Sequence, residues 1–148
     1  MKTHIGQLAE IPATPSRPFA PNSDGRVERQ IGKRVAMTQF GVNHLTLGPG
    51  AASSRRHWHE REDEFAYVLS GVVTLRDETG EHEIGKGGFV GFPAGAPNAH
   101  HLVNRGDAPV ELLIVGTRKV GEERIHYPDE PDPGPFSVLR DEKGERRP

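Results

Sequence analysis

The chain has 148 residues, of which 33% are hydrophobic, with a formal net charge of −2 and no cysteine. That length suits one domain with a modest core, and neither the charge nor any basic run gives an electrostatic reason to bind nucleic acid. Without cysteine, a disulfide framework and a thiolate nucleophile are both excluded, so histidine and carboxylate must carry any chemistry.

Residues 1–25 read as an irregular arm, because Ile11 to Asp24 is rich in Pro, Ser and Asn. No apolar run follows Lys2, and no stretch approaches the roughly 18 residues needed to span a bilayer, so no membrane partner and a cytoplasmic location are expected. Residues 26–120 read as a body of short strands, beginning with strand-like segments at Val27 to Ile31 and Arg34 to Leu47.

Next comes Arg55-Arg56-His57-Trp58-His59, then the polar stretch Glu60 to Asp63, then Glu64 and the apolar run Phe65 to Leu69, which reads as a returning strand. Val72 to Asp77 and Glu81 to Ile84 flank Glu78-Thr79-Gly80 as a hairpin. The Gly and Pro residues from Gly85 to Pro97 supply turns before a strand at His100 to Asn104, and a loop leads on to the apolar strand Val110 to Val115. No long segment carries a 3.6-residue apolar period, and short strands at this spacing indicate a barrel or sandwich.

Residues 121–148 read as a Pro-rich arm, in which Pro128, Pro131, Pro133 and Pro135 are expected to prevent regular pairing. Ile125, Tyr127, Phe136, Val138 and Leu139 remain available there to dock, so a disordered tail and a partner-wrapping arm are both open.

The chemistry concentrates on histidines. In a strand, successive side chains point to opposite faces, so His57 and His59 project the same way with Cα atoms roughly 6.5–7 Å apart, and Trp58 faces away. Two imidazoles so placed can converge on one ion through metal–nitrogen bonds of about 2.1 Å. An isolated His-x-His is more often a surface or hydrogen-bonded pair than a ligand pair. Here Glu64 stands as a third donor, and a carboxylate beside neutral imidazoles suits a divalent first-row metal. A fourth donor comes from the second cluster, where adjacent strand residues point oppositely and only one of His100 and His101 should bind.

These stretches resemble the cupin family over residues 50 to 104. That family's first motif is Gly, five residues, His-x-His, three or four residues, Glu, six residues, Gly. This chain has His57, His59, four residues, Glu64, six residues, Gly71, and it departs at the front, where six residues rather than five separate Gly50 from His57. The second motif is Gly, five residues, Pro-x-Gly, two residues, His, three residues, Asn. Gly87, Pro93 and Gly95 fit, but Asn98 holds the expected histidine position. Two extra residues repair the alignment, and leaving the motif's three-residue gap before Asn104 selects His100 over His101.

The resemblance implies an all-β, cupin-type double-stranded β-helix (a jelly-roll barrel) with irregular terminal arms. It also implies one divalent first-row transition metal ion per chain (Fe, Mn, Zn, Ni or Cu) on His57, His59, Glu64 and His100. His101 then reads as an outward or ligand-orienting group. His44 can face the cavity or the outside, and His4, His82 and His126 look like surface residues. Arg55 and Arg56 beside an acidic turn read as a solvated patch rather than an anion site.

If Glu64 points inward, Phe65, Tyr67 and Leu69 face out and need a cover. A homodimer is therefore expected, as the resemblance also implies. Four protein ligands on an ion that prefers six leave two openings for a small, oxygen-rich metabolite. Isomerisation through an enediolate, dioxygenase chemistry, and non-catalytic binding of metal or small molecule all fit such a site, and the fold alone does not choose among them.

Overall fold

The computed structural model describes residues 3–14 and 24–147. Its strands are β1 (Arg26–Gln30), β2 (Phe40–Leu47), β3 (Trp58–His59), β4 (Glu64–Ser70), β5 (Val72–Asp77), β6 (Gly80–Gly85), β7 (Phe89–Phe92), β8 (His101–Val103), β9 (Val110–Thr117), β10 (Gly121–His126), β11 (Phe136–Arg140) and β12 (Arg146–Arg147). Among the described residues, every strand pairing is antiparallel. The architecture is the expected all-β jelly roll.

Alternation along the strands decides which face is buried. On β2, Leu45 and Leu47 point inward, as do Val110 and Leu112 on β9 and Ala66 and Val68 on β4. These strands belong to a five-stranded sheet ordered β1-β2-β9-β4-β7. Val73 and Leu75 of β5 and Leu102 of β8 come from a three-stranded sheet, β6-β5-β8, and close the core from the other side. Burial of these aliphatic side chains, at roughly 25 cal/mol per Å² of apolar area, is the main force holding the two sheets face to face.

The apolar core fills only one end of this sandwich. Toward the other end, the inward positions of the large sheet become Glu64, Asn43, Gly41 and Gly116, and a cavity of about 570 Å³ opens there.

Asn104, fully buried, ties the loops at the core end together. Its Nδ2 donates to the carbonyls of Leu47 and Ala108, and its Oδ1 accepts from the Gly106 N–H. Gly71, at φ 81°, makes the tight turn between β4 and β5, and a Cβ there would lie 3.0 Å from the Pro109 carbonyl oxygen. Only glycine meets both conditions at low cost.

Three expectations need correction. The strand expected from Arg34 starts only at Phe40, because Ile31–Arg34 forms one helical turn closed by Val35 N–H to the Ile31 carbonyl and Met37 N–H to the Gly32 carbonyl. Gly32 permits that turn to press on β2, since a Cβ there would sit 3.0 Å from Val42 N. The Gly and Pro run from Gly85 to Pro97, read as turns, contains β7, paired with β4 from Glu64↔Phe92 to Tyr67↔Phe89.

The third correction is the largest. The segment after Gly121, expected to lack regular pairing, contributes β10, β11 and β12, which join β3 in a four-stranded sheet. All four prolines named above fall in the connection between β10 and β11, so the strands themselves keep their N–H donors. Of the expected N-terminal irregular stretch, residues 15–23 lie outside the described residues. No described helix is long and apolar enough to cross a membrane.

Candidate metal centre

His57 and His59 enter the cavity from the chain preceding β4. His57 forms an isolated antiparallel bridge with His100, and His59 pairs with Ile125 of β10. Both rings lie on the cavity side with centroids 4.9 Å apart. Trp58 turns away as alternation requires, and stacks on His126 at 4.0 Å. His126, expected to be a surface residue, is thereby half-buried and also meets Glu60 at 2.8 Å.

Glu64, first residue of β4, is the convergence point. Its Oε2 lies 3.8 Å from His57 Nε2 and 3.7 Å from His59 Nε2, and its Oε1 lies 3.0 Å from His100 Nε2. The structure therefore brings together all four side chains named from the sequence. His101 is left aside, with its Nδ1–H donating to the Ser54 carbonyl. His44 is buried on the opposite face from Asn43, 3.4 Å from Glu111.

Backbone carbonyls orient two of the rings. His57 Nδ1–H donates to the Arg55 carbonyl at 2.7 Å and His100 Nδ1–H to the Asn98 carbonyl at 2.8 Å. In a neutral ring, that assignment leaves a lone pair on each Nε2 facing the cluster. Phe92 stacks on His100 with centroids 3.3 Å apart and holds the ring in plane.

The donor set fits a cation. A lone pair on His100 Nε2 facing a carboxylate oxygen 3.0 Å away is repulsive unless a proton or a metal ion lies between them. One ligand atom from each of His57, His59 and Glu64 lies within 4.8 Å of the others. Two ligands bonded at about 2.1 Å to one ion span up to about 4.2 Å, so only a small contraction closes the site.

The electrostatics of Glu64 and His59 agree with that reading. Burial works against the Glu64 carboxylate, yet its contacts with His100 and His57 outweigh burial and hold it well below the usual carboxylate range. Burial pushes His59 down to about 4, helped by the neighbouring His57. For His57, burial is outweighed by Glu64, which raises it. A neutral His59 beside an ionised Glu64 is the protonation pattern that metal ligation needs.

Sequence reasoning missed Glu123. This β10 residue is fully buried, with one carboxylate oxygen 3.6 Å from His59 Nδ1. That nitrogen and the other Glu123 oxygen are both buried without a hydrogen-bond partner. Burial raises the Glu123 carboxyl, and the nearby Glu62 charge raises it further. The pair has the make-up of a carboxylate set behind a ligating imidazole. The only sequence signal was the alternation of Glu123, Ile125 and Tyr127, in a segment that the prolines made look irregular.

The C-terminal segment also closes the cavity, to which its sheet contributes Ile125, Arg140 and Arg146 and the connection after β10 contributes Tyr127. The Tyr127 ring stands 5.6 Å from that of His57. Arg55, read as part of a solvated patch, lines the cavity as well and lies 3.6 Å from Glu130.

The family model described as "Cupin domain" matches residues 43–116. A structure described as a sugar phosphate isomerase of the cupin superfamily, from Silicibacter pomeroyi DSS-3, is 39% identical with TM-score 0.80, covering 91% of this chain and 85% of that one. A putative sugar phosphate isomerase from Acidithiobacillus ferrooxidans is 32% identical with TM-score 0.70, covering 82% and 74%. The polyketide cyclase RemF from Streptomyces resistomycificus, 23% identical with TM-score 0.64 over 79% and 80%, shares the fold. No curated protein matches the sequence. With the family model spanning half of its length and two relatives above 30% identity over most of theirs, the chain belongs to the cupin family.

Proposed function

We propose that this cupin binds one divalent first-row metal ion through His57, His59, Glu64 and His100 and isomerises a small, oxygen-rich metabolite, with sugar phosphates as the substrate class. The observation that carries this reading is the convergence of three imidazole Nε2 atoms on Glu64 at a cavity large enough for such a ligand. The likeness to two structures described as sugar phosphate isomerases, one of them putative, supports the substrate class. When bound, the ion supplies Lewis acidity toward an oxygen pair of the substrate.

The chain's own residues set the conditions for that chemistry. The carbonyls of Arg55 and Asn98 hold two imidazoles in the ligating tautomer. Ile114 and Ile125 give the cavity apolar wall that limits water near the reacting carbons. Asp63 lines the cavity and also supports the loop, with Oδ1 accepting the Ala94 N–H at 2.7 Å.

The test is to load the protein with each candidate metal, offer a panel of aldose and ketose phosphates, and follow interconversion by NMR with an oxygen electrode in the same vessel. Interconversion that stops on chelation supports the reading. Metal-dependent oxygen uptake without interconversion selects dioxygenase chemistry instead, and ligand binding without turnover selects a binding protein.

A homodimer is part of the same proposal. Phe65, Tyr67 and Leu69 form an outward apolar row on β4, each more than a third exposed, and Phe89 on the edge strand β7 extends it at 68% exposure. An apolar face running to an unpaired sheet edge is a surface that a second copy covers well. Sedimentation at micromolar concentration is expected to show a dimer, and Phe89→Glu to dissociate it. A monomeric wild-type protein contradicts this.

A further inference from the structure

A bare lane crosses the sheet floor beside the histidine cluster. Glu64 on β4 pairs with Gly116 on β9, and Gly116 pairs with Gly41 on β2. Directly opposed residues of antiparallel strands share a face, so three positions in this row face the cavity and only one carries a side chain. Gly41 and Gly116 both line the cavity. With strands about 4.8 Å apart, the lane runs about 10 Å from the Glu64 backbone to that of Gly41.

Arg118 stands at the far end. It lies two residues beyond Gly116, its N–H continues the ladder onto the Gln39 carbonyl at 2.9 Å, and alternation turns it to the cavity face, where it joins the lining. Glycines set its path. A Cβ at Gly41 would lie 2.9 Å from Arg118 Nε, and one at Gly144 would lie 3.1 Å from its Cβ. Arg118 also differs from other cavity cations. Arg26 meets Glu28, Lys33 meets Glu145 and Arg140 meets Glu62, whereas the Arg118 guanidinium makes no ion pair among the described residues.

We propose that Arg118 is the anion subsite of this cavity, taking the phosphate of a small sugar phosphate whose carbonyl end lies at the His57, His59, Glu64 and His100 cluster. This rests on the isomerase reading for the ligand's other end. The planar guanidinium fork matches two phosphate oxygens; it lies over Gly41, and Gly116, with no side chain, leaves the floor between it and Glu64 open for the carbon chain. A guanidinium placed two strands across the sheet from Glu64 selects an extended phosphorylated chain over a ligand that only chelates.

Calorimetric titration of metal-loaded protein with ribitol 5-phosphate, ribitol and inorganic phosphate tests this on wild type and Arg118→Met. Arg118→Met is expected to weaken ribitol 5-phosphate about 10–100-fold, the range for losing a charge-assisted hydrogen-bonding partner. Ribitol affinity and metal content should not change. Equal affinity of the two proteins for ribitol 5-phosphate overturns the proposal, as does failure of the wild type to bind it at millimolar concentration. An Arg118-dependent phosphate effect without any aldose–ketose interconversion keeps the subsite and removes the isomerase reading.

Discussion

Alanine at His57 or at His59 is expected to strip metal from the purified protein while leaving the fold in place. Each change removes one imidazole nitrogen from the group around Glu64, and neither side chain belongs to the apolar core that holds the sheets together. The loss of affinity in chelator competition should exceed the about 10–100-fold expected for an outer partner of a ligand. Glu123→Gln supplies that comparison, because it changes the group behind His59 Nδ1 while keeping the side chain's size and an oxygen to accept the Arg61 N–H. Elemental analysis reads the outcome directly. Full occupancy in both alanine variants would remove the metal site, and an unchanged affinity in Glu123→Gln would make Glu123 a packing residue only.

The second large effect concerns how the C-terminal sheet is fastened to the barrel. Glu62, 2% exposed, accepts from Arg140 Nε at 2.7 Å and from Nη2 at 3.0 Å, and also from the Lys119 N–H at 2.8 Å. Arg140 lies on β11 and Glu62 in the loop just before Glu64, so this bidentate pair couples the sheet to the loop that presents the carboxylate. Removing one member leaves a buried charge uncompensated, which costs about 3–5 kcal/mol. Arg140→Ala should therefore shift the urea midpoint strongly without changing the slope. The double variant Glu62→Leu with Arg140→Leu should recover most of that loss, because burying the pair carries a desolvation penalty of its own. A cost below about 1 kcal/mol for Arg140→Ala would show that the pair contributes little.

The site and the C-terminal sheet differ in how far each was visible before the structure. His57, His59 and Glu64 were legible because a strand's two-residue period and one short turn suffice to aim them, and these are local rules. Choosing His100 over His101 took a spacing argument, since two extra residues precede it. The bridge between His57 and His100 then fixes which of the neighbouring imidazoles turns inward. Phe65, Tyr67 and Leu69 were placed on the outside by the same alternation that placed Glu64 inside.

What stayed hidden depended on pairing between distant parts of the chain. The prolines after Gly121 argued against strands, and only the pairing of β10 with β3 and β11 shows that they are confined to one connection. Glu123, Tyr127 and Arg140 became site or support residues through that sheet. Arg118 gained its position from two glycines on other segments.

The sequence by itself determined the all-β class, the inward and outward faces of its main strands and the donor types gathered at the centre, because these follow from side-chain alternation and local spacing. Only the tertiary structure decided the shape of the cavity, the carboxylate behind His59 and the lane to Arg118. Those features arise from hydrogen-bonded register between strands far apart in the chain, and no local pattern records it.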